Sequence, residues 1–233
     1  MLAIAACAGP GPAPSEGSRV TPDDAATLPA TPPVDPVRYV ALGDSYTIGT
    51  SVAVAERWPE QLVARLPALQ LVANLGVNGF TSRDLVEVEL PQLAGLRPDF
   101  VTILIGVNDV VQGVPEATYR ANVTRILDEV IGLVGAERIL VVTTPDYTVT
   151  PAGADYGDPA QQSAGIRANN AAITELALER GIVVVDIFDI SLEAATDRTL
   201  VASDGLHPSG AQYALWVERI APAVTALLAA TDR

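Results

Sequence analysis

The sequence contains no lysine, and it has one histidine and one cysteine among its 233 residues. Its basic residues are arginines, and against 28 acidic residues they leave a formal net charge of −14. Nucleic acids and anionic membrane surfaces both attract clustered positive charge, so the composition disfavours both kinds of partner. The surplus of acid can serve solubility alone, and it is compatible with a neutral substrate.

Cys7 is the one cysteine, which excludes an intrachain disulfide. Residues 4–7, Ile-Ala-Ala-Cys, resemble the lipobox of a bacterial lipoprotein, although the apolar stretch in front is too short for a signal peptide. Residues 9–36 are rich in Pro, Ala, Thr and acid and have no periodic apolar face. We expect residues 1–36 to be a truncated signal remnant and a disordered tether, with the protein secreted or lipid-anchored through Cys7 at the bacterial envelope. An Ala-rich start with an inert thiol is the alternative.

From residue 37 to residue 233, short apolar runs alternate with amphipathic segments. Strand after helix in this order predicts one α/β domain, a three-layer α/β/α sandwich with a five-stranded parallel sheet. Ligand sites in such folds lie at the carboxyl ends of the strands. The predicted strands are 38–42, 69–76, 99–106, 138–144 and 182–187, and the predicted helices are 58–66, 82–93, 115–134, 163–180 and one from about 209.

Four short motifs fall after the predicted strands or before the last helix: GDSY at 43–46, NLGVNG at 74–79, GVND at 106–109 and DGLHP at 204–208. The first motif is weak by itself, but the four together in this order resemble the SGNH (GDSL-type) hydrolases over residues 38 to about 228. That resemblance implies a flavodoxin-like fold and a serine esterase. It implies Ser45 as nucleophile, Asp204 and His207 as its triad partners, and Ser45, Gly79 and Asn108 as oxyanion-hole donors.

The chemistry of these residue types is consistent with that assignment. A serine hydroxyl needs a base that titrates near neutrality, and His207 is the one histidine available. Asp204 lies three residues earlier, a spacing at which a tight turn can bring a carboxylate to Nδ1. A glycine at position 79 leaves its N–H open to close approach, and Asn108 would bring an amide donor from the end of the central strand.

Each of these residues also has a structural interpretation. Ser45 could be a helix N-cap, and Asn108 and Asp204 could be ordinary turn residues. Asp186 and Asp189 follow the fifth strand and compete for the third triad position, and Gly76 competes with Gly79 for the oxyanion role. We favour Gly79 because Asn74 and Thr81 frame it as they do in the family.

The long segment 145–165 after the fourth strand is expected to wall the substrate pocket. Trp58, Tyr147 and Tyr156 are candidate lining residues, and a small pocket would favour short acyl groups. The sequence has no pattern that predicts a metal or a cofactor.

The expected function is therefore hydrolysis of a small-molecule or glycan ester. A carbohydrate or peptidoglycan O-deacetylase, an acyltransferase, a lysophospholipase and a thioesterase stay open within the same fold. A non-catalytic envelope binding module and a flavin or nucleotide binder are the alternatives from other classes. The oligomeric state has no signal in the sequence.

Overall fold

The computed structural model describes residues 9, 11 and 35–231. Most of the predicted tether and the lipobox cysteine Cys7 lie outside these residues, so both stay predictions.

Five parallel strands form one sheet in the order β2-β1-β3-β4-β5, with β1 paired to both β2 and β3. The strands are β1 Val37–Gly43, β2 Leu69–Asn74, β3 Phe100–Leu104, β4 Ile139–Val142 and β5 Val183–Val185. The helices are α1 Ser45–Ile48, α2 Trp58–Arg65, α3 Ser82–Asp84, α4 Leu90–Leu96, α5 Val107–Val111, α6 Glu116–Val134, α7 Pro159–Leu178, α8 Phe188–Leu192 and α9 Gly210–Thr231. This is the predicted α/β/α sandwich with the strand order of flavodoxin-like folds.

Alternate residues of the strands enter two separate apolar cores. Tyr39 and Ala41 of β1 pack on one face with α2 and α9, whereas Val40 and Leu42 pack on the other face with α4 and α6. β3 and β4 alternate in the same way, and all the residues of both strands are buried. A parallel sheet that is covered on both faces needs such continuous apolar runs, which is why the central strands could be predicted.

Helix α9 is long and apolar enough to span a membrane by length and composition alone. Its apolar residues instead form part of the hydrophobic core that α9 shares with α2 and the sheet. Fully buried there are Tyr213, Trp216, Ile220 and Val224. A core helix of this kind passes the same hydropathy test as a membrane span.

Two helices differ from their predicted bounds. The helix predicted for 82–93 continues past Pro91 to Leu96, because a π-helical turn at Leu85–Glu89 precedes it and places Pro91 in the first turn of α4. Helix α7 begins at Pro159, four residues before the predicted start, with Asp158 accepting a hydrogen bond from the Gln161 N–H at 2.9 Å. A capping acid followed by proline was the sequence signal for this start.

Candidate active site

One cavity of about 200 Å³ lies at the carboxyl ends of the strands. It brings together segments that are far apart in the sequence: the turn after β1, the loop after β2, the turn after β3, the loop after β4 and the loop before α9. Its lining residues are Ser45, Tyr46, Asn78, Gly79, Val107, Asn108, Val111, Tyr147, Tyr156, Leu206 and His207.

Ser45 is held in a tightly packed turn, residues 43–49, which we call the nucleophile turn. Asp44 caps the short helix α1 by accepting a hydrogen bond from the Tyr46 N–H at 3.0 Å, so Ser45 is the first helical residue and not the cap. Gly43 has φ of +152°, and a Cβ there would overlap the Leu104 carbonyl oxygen and the Thr47 hydroxyl. Ser45 itself is 7 % exposed and faces the cavity.

Two buried carboxyl groups support the nucleophile turn: Asp44 belongs to the turn itself, and Glu89 packs against it. Glu89, on the π-helical turn, accepts a hydrogen bond from the Gly43 N–H at 3.0 Å. Burial raises the pKa of Glu89 to about 9, with the negative charge of Asp44 adding to the effect. Burial likewise raises the pKa of Asp44 to about 8, so both groups are mostly protonated at neutral pH. Asp44 is thus unsuited to stabilise a histidine cation.

Asp204 and His207 form a second turn, residues 204–207, which we call the acid–base turn. The His207 Nδ1 lies 2.6 Å from Asp204 Oδ2. The other carboxylate oxygen, Oδ1, accepts the backbone N–H groups of Leu206 and His207 at 2.9 and 3.0 Å. The Tyr46 ring packs edge-on against the imidazole with centroids 5.7 Å apart. The predicted three-residue spacing therefore does bring the carboxylate to Nδ1.

Asp204 has one further partner, which the sequence did not indicate. The Ser51 hydroxyl donates to Asp204 Oδ2 at 2.7 Å. Burial alone would raise the pKa of Asp204, but the hydrogen bonds from Ser51, the Leu206 N–H and His207 outweigh it and hold the pKa well below its usual range. Asp204 is therefore a carboxylate at any pH near neutrality, in contrast to Asp44.

Ser45 and His207 line the same cavity, but within residues 35–231 no hydrogen bond joins the Ser45 Oγ to the imidazole. Such contacts are often long until a substrate binds, so geometry without a substrate does not exclude the pair. Asp186 and Asp189 are engaged elsewhere: Asp186 accepts from Thr143 at 2.7 Å, and Asp189 pairs with Arg219. Neither lines the cavity, so Asp204 is the carboxylate that reaches His207.

The two glycines of the second motif, Gly76 and Gly79, differ in their positions relative to the cavity. A Cβ at Gly76 would lie 2.7 Å from both the Asp44 carbonyl oxygen and the Ile48 nitrogen, so Gly76 permits the loop to pack against α1. Gly79 has φ of +82°, open space where a Cβ would be, and a place in the cavity wall. Of the two glycines, only Gly79 lines the cavity.

Asn108 also lines the cavity, at the start of α5, where its Nδ2 donates to the Phe80 carbonyl at 2.9 Å. The next residue, Asp109, is fully buried and accepts the Ser82 N–H at 2.8 Å and the Ser82 hydroxyl at 2.5 Å. These bonds tie the loop of Gly79 to the loop of Asn108. Ser45, Gly79 and Asn108 therefore border one space from three different segments.

The prediction that Trp58 lines the pocket is wrong. Trp58 begins α2 and is fully buried in the core beneath β1, because the apolar face of α2 packs against α9 and the sheet. Tyr147 and Tyr156 do line the cavity, with their rings edge-to-face and 5.8 Å apart. The Tyr147 hydroxyl donates to Gln162 at 2.9 Å, whereas the Tyr156 side chain is 43 % exposed at the mouth.

Sequence reasoning also missed Asn78 and Glu89. Asn78 lies at the cavity wall and accepts the Thr50 hydroxyl at 2.5 Å. Its position next to Gly79 was the available signal. Glu89 had no such signal in the sequence, because an acid in a helix with mixed polar and apolar residues is usually predicted to be an exposed side chain.

Residues 41–215 match the model of the GDSL-like lipase/acylhydrolase family. The chain belongs to this family. Its members are ester-cleaving enzymes, and this GDSL-like protein is accordingly a carboxylic ester hydrolase. The interpretation of the parallel sheet as a flavin or nucleotide binder is thereby set aside. A search of curated protein sequences found no match.

Several solved structures have the same fold as this GDSL-like hydrolase, and three of them illustrate the similarity. Axe2, an acetylxylan esterase from Geobacillus stearothermophilus, is 22 % identical with a TM-score of 0.61, over 82 % of this chain and 93 % of that one. LAE5, an alpha/beta hydrolase enzyme from the metagenome of Lake Arreo, Spain, is 22 % identical with a TM-score of 0.60, over 82 % and 94 %. A member of the lipolytic protein G-D-S-L family from Veillonella parvula is 17 % identical with a TM-score of 0.64, over 78 % and 94 %.

Proposed function

We propose that the protein hydrolyses esters of short acyl groups with neutral alcohols, using a Ser45–His207–Asp204 triad. The observation that carries the proposal is that Ser45 and His207 line one cavity with Gly79 and Asn108, while Asp204 holds the Nδ1 side of the imidazole. A nucleophile, a base with an oriented tautomer, and two donors are the parts that acyl transfer requires.

The steps follow from these positions. The Ser45 Oγ attacks the carbonyl carbon while His207 Nε2 takes its proton, and Asp204 stabilises the resulting imidazolium. The negative oxygen of the tetrahedral intermediate accepts hydrogen bonds from the Ser45 and Gly79 N–H groups and the Asn108 amide. His207 then returns the proton to the leaving alcohol. Water, deprotonated by the same histidine, releases the acid from Ser45.

The walls of the cavity support the choice of substrate. About 200 Å³ of space is bordered by Tyr46, Val107, Val111, Tyr147 and Leu206, so an apolar group of a few carbons fits better than a long chain. Within residues 35–231 the lining contains no arginine or acid, which supports an uncharged ester. Acetylated carbohydrates are a second candidate, because the exposed ring of Tyr156 offers a flat apolar face at the mouth and the similar fold of Axe2 belongs to an acetylxylan esterase.

The test is hydrolysis of p-nitrophenyl esters from acetate to dodecanoate by the wild type and by Ser45→Ala. We expect kcat/KM to be highest for acyl groups of two to four carbons and to fall on the order of 10⁴-fold or more in Ser45→Ala, because an alanine has no hydroxyl to attack. A fluorophosphonate probe should add its mass to Ser45 in the wild type only. The exposed Thr199→Ala is the matched control and should keep full activity.

Unchanged hydrolysis or probe labelling in Ser45→Ala would contradict the mechanism, and an inactive wild type would favour the non-catalytic binding module. A maximum at eight or more carbons would contradict the short-acyl preference. Acetylated xylo-oligosaccharides, compared with p-nitrophenyl acetate, decide between a general short-chain esterase and a carbohydrate deacetylase.

A further inference from the structure

Ser51 has an unusual backbone for a residue with a side chain. It lies two residues beyond Gly49, the left-handed residue that ends α1, and its own φ is +65°. Within residues 35–231, Arg97 is the other non-glycine residue with positive φ. Glycine would adopt this conformation without strain, so a serine that persists there points to a use for its hydroxyl.

The hydroxyl contacts the carboxylate behind His207. Ser51 Oγ donates at 2.7 Å to Asp204 Oδ2, the same oxygen that lies 2.6 Å from His207 Nδ1. The two backbone N–H groups on Oδ1 come from the acid–base turn itself. Among residues 35–231, Ser51 is the one donor to this carboxylate that comes from the nucleophile side of the cavity, 153 residues away along the chain.

We propose that Ser51 is a positioning residue for the acid–base pair, which holds Asp204 Oδ2 against His207 and shares its negative charge. The proposal rests on the proposed triad. A carboxylate that already accepts a hydroxyl attracts a neighbouring imidazolium less strongly than a carboxylate without that bond. Ser51 therefore keeps His207 in its neutral, basic form to a lower pH.

The groups around His207 allow a change in its titration to be assigned to Asp204. Asp204 on its own turn is the charged group that faces the imidazole. Tyr46 from α1 faces the ring, and Tyr213 from α9 lies near Asp204; burial raises the pKa of both phenols well above the usual value, so neither carries charge near neutrality. Asp44 and Arg57 bear on the Tyr213 phenol, and burial raises the pKa of Asp44 to about 8. A change in His207 titration on altering Ser51 would thus report on Asp204.

His207 is the one histidine in the sequence, so its ring signals in a nuclear magnetic resonance titration are unambiguous once any affinity tag is removed. The variants are Ser51→Ala, Ser51→Gly and the control Thr199→Ala, which loses a hydroxyl donated at 2.6 Å to the exposed Asp197. We expect the titration of His207 to move to higher pH in both Ser51 variants, since Oδ1 stays anchored, and to stay unchanged in Thr199→Ala.

Ester hydrolysis provides the second readout. We expect kcat/KM to fall about tenfold at neutral pH in both Ser51 variants, mainly through kcat, with the acidic limb of the pH profile moved to higher pH. A purely structural role predicts otherwise: Ser51→Gly relieves the backbone strain and would behave like the wild type, while Ser51→Ala would be impaired.

An unchanged His207 titration in Ser51→Ala, or wild-type kinetics in Ser51→Gly, would overturn the proposal. The titration needs no catalysis, so it still decides the role of Ser51 if the esterase assays fail. A failure of the triad would show in Ser45→Ala and in probe labelling, and is thereby distinguished from a failure of this inference.

Discussion

The nucleophile turn and the acid–base turn border the same cavity but are held in place by different forces. Residues 43–47 of the nucleophile turn are buried, whereas Asp204 is exposed and His207 is half-buried. Gly43 and Gly76 fix the first turn by close packing, and the buried acid Glu89 packs against it. The second turn is fixed by short-range hydrogen bonds from residues 206 and 207 to Asp204, with Ser51 added.

In the triad that we propose, this difference divides the structural support between packing and polarity. Ser45, as the proposed nucleophile, needs a fixed backbone, because its N–H would point at a developing charge, and close packing supplies that rigidity. The acid–base pair needs an ionised carboxylate, which is stable near water and among donors but not in an apolar core. Each turn lies in the environment that its chemistry requires.

The largest expected effect comes from adding one methyl group to each turn, which tests whether the two turns differ in how tightly they are packed. We expect Gly43→Ala to destabilise the protein by about 3–5 kcal/mol or to prevent folding, because its Cβ would overlap Leu104 and Thr47 and no backbone movement is free to relieve it. Gly205→Ala should cost only about 1 kcal/mol, since its φ of +74° is strained but its nearest neighbour would be 3.7 Å away. Denaturant unfolding measures both, and equal losses would contradict the distinction.

The second effect concerns the buried acids and alkaline pH. Burial raises the pKa of Glu89 to about 9, so the folded state holds a proton that the unfolded chain releases from about pH 4.5 upward. Stability from this group is full below that pH and is lost as the pH rises through about 9.

Glu89→Gln keeps an acceptor for the Gly43 N–H but cannot ionise. We expect its stability relative to wild type to improve by on the order of 2–3 kcal/mol between pH 5 and pH 7. Unfolding free energies across that range measure the effect, with the exposed Glu137→Gln as control. A constant difference between variant and wild type would show that Glu89 does not titrate there.

The smallest effect concerns the acid–base turn, where stability is lost as the pH falls and not, as for Glu89, as the pH rises. Hydrogen bonds hold the pKa of Asp204 below its usual range, so its contribution to stability is present above about pH 4 and is lost as the pH falls further. In Asp204→Asn this acid-side loss should be smaller by on the order of 1 kcal/mol, since partial exposure screens the interaction. Thermal unfolding from pH 2 to pH 6 tests this, beside Asp155→Asn as an exposed control.

Much of the fold followed from the sequence because its signals are local. The apolar runs of β1, β3 and β4 and the amphipathic pattern of α6 are each contained within a short segment of the sequence. The predicted bounds of α3, α4 and α7 were wrong, because Pro91 and Pro159 each lie in the first turn of a helix, where a proline starts a helix and does not end it.

For the site, the sequence by itself determined that a serine, a single histidine and an aspartate three residues before it stand in family motifs, and that Gly79 and Asn108 accompany them. Only the tertiary structure decided that Trp58 belongs to the core, that Asp44 and Glu89 are buried acids, and that Ser51 reaches Asp204. The reason is physical. A turn that is stabilised by hydrogen bonds between its own residues can be predicted from the local sequence. Burial and long-range contacts, by contrast, exist only once the strands are paired and the helices are packed.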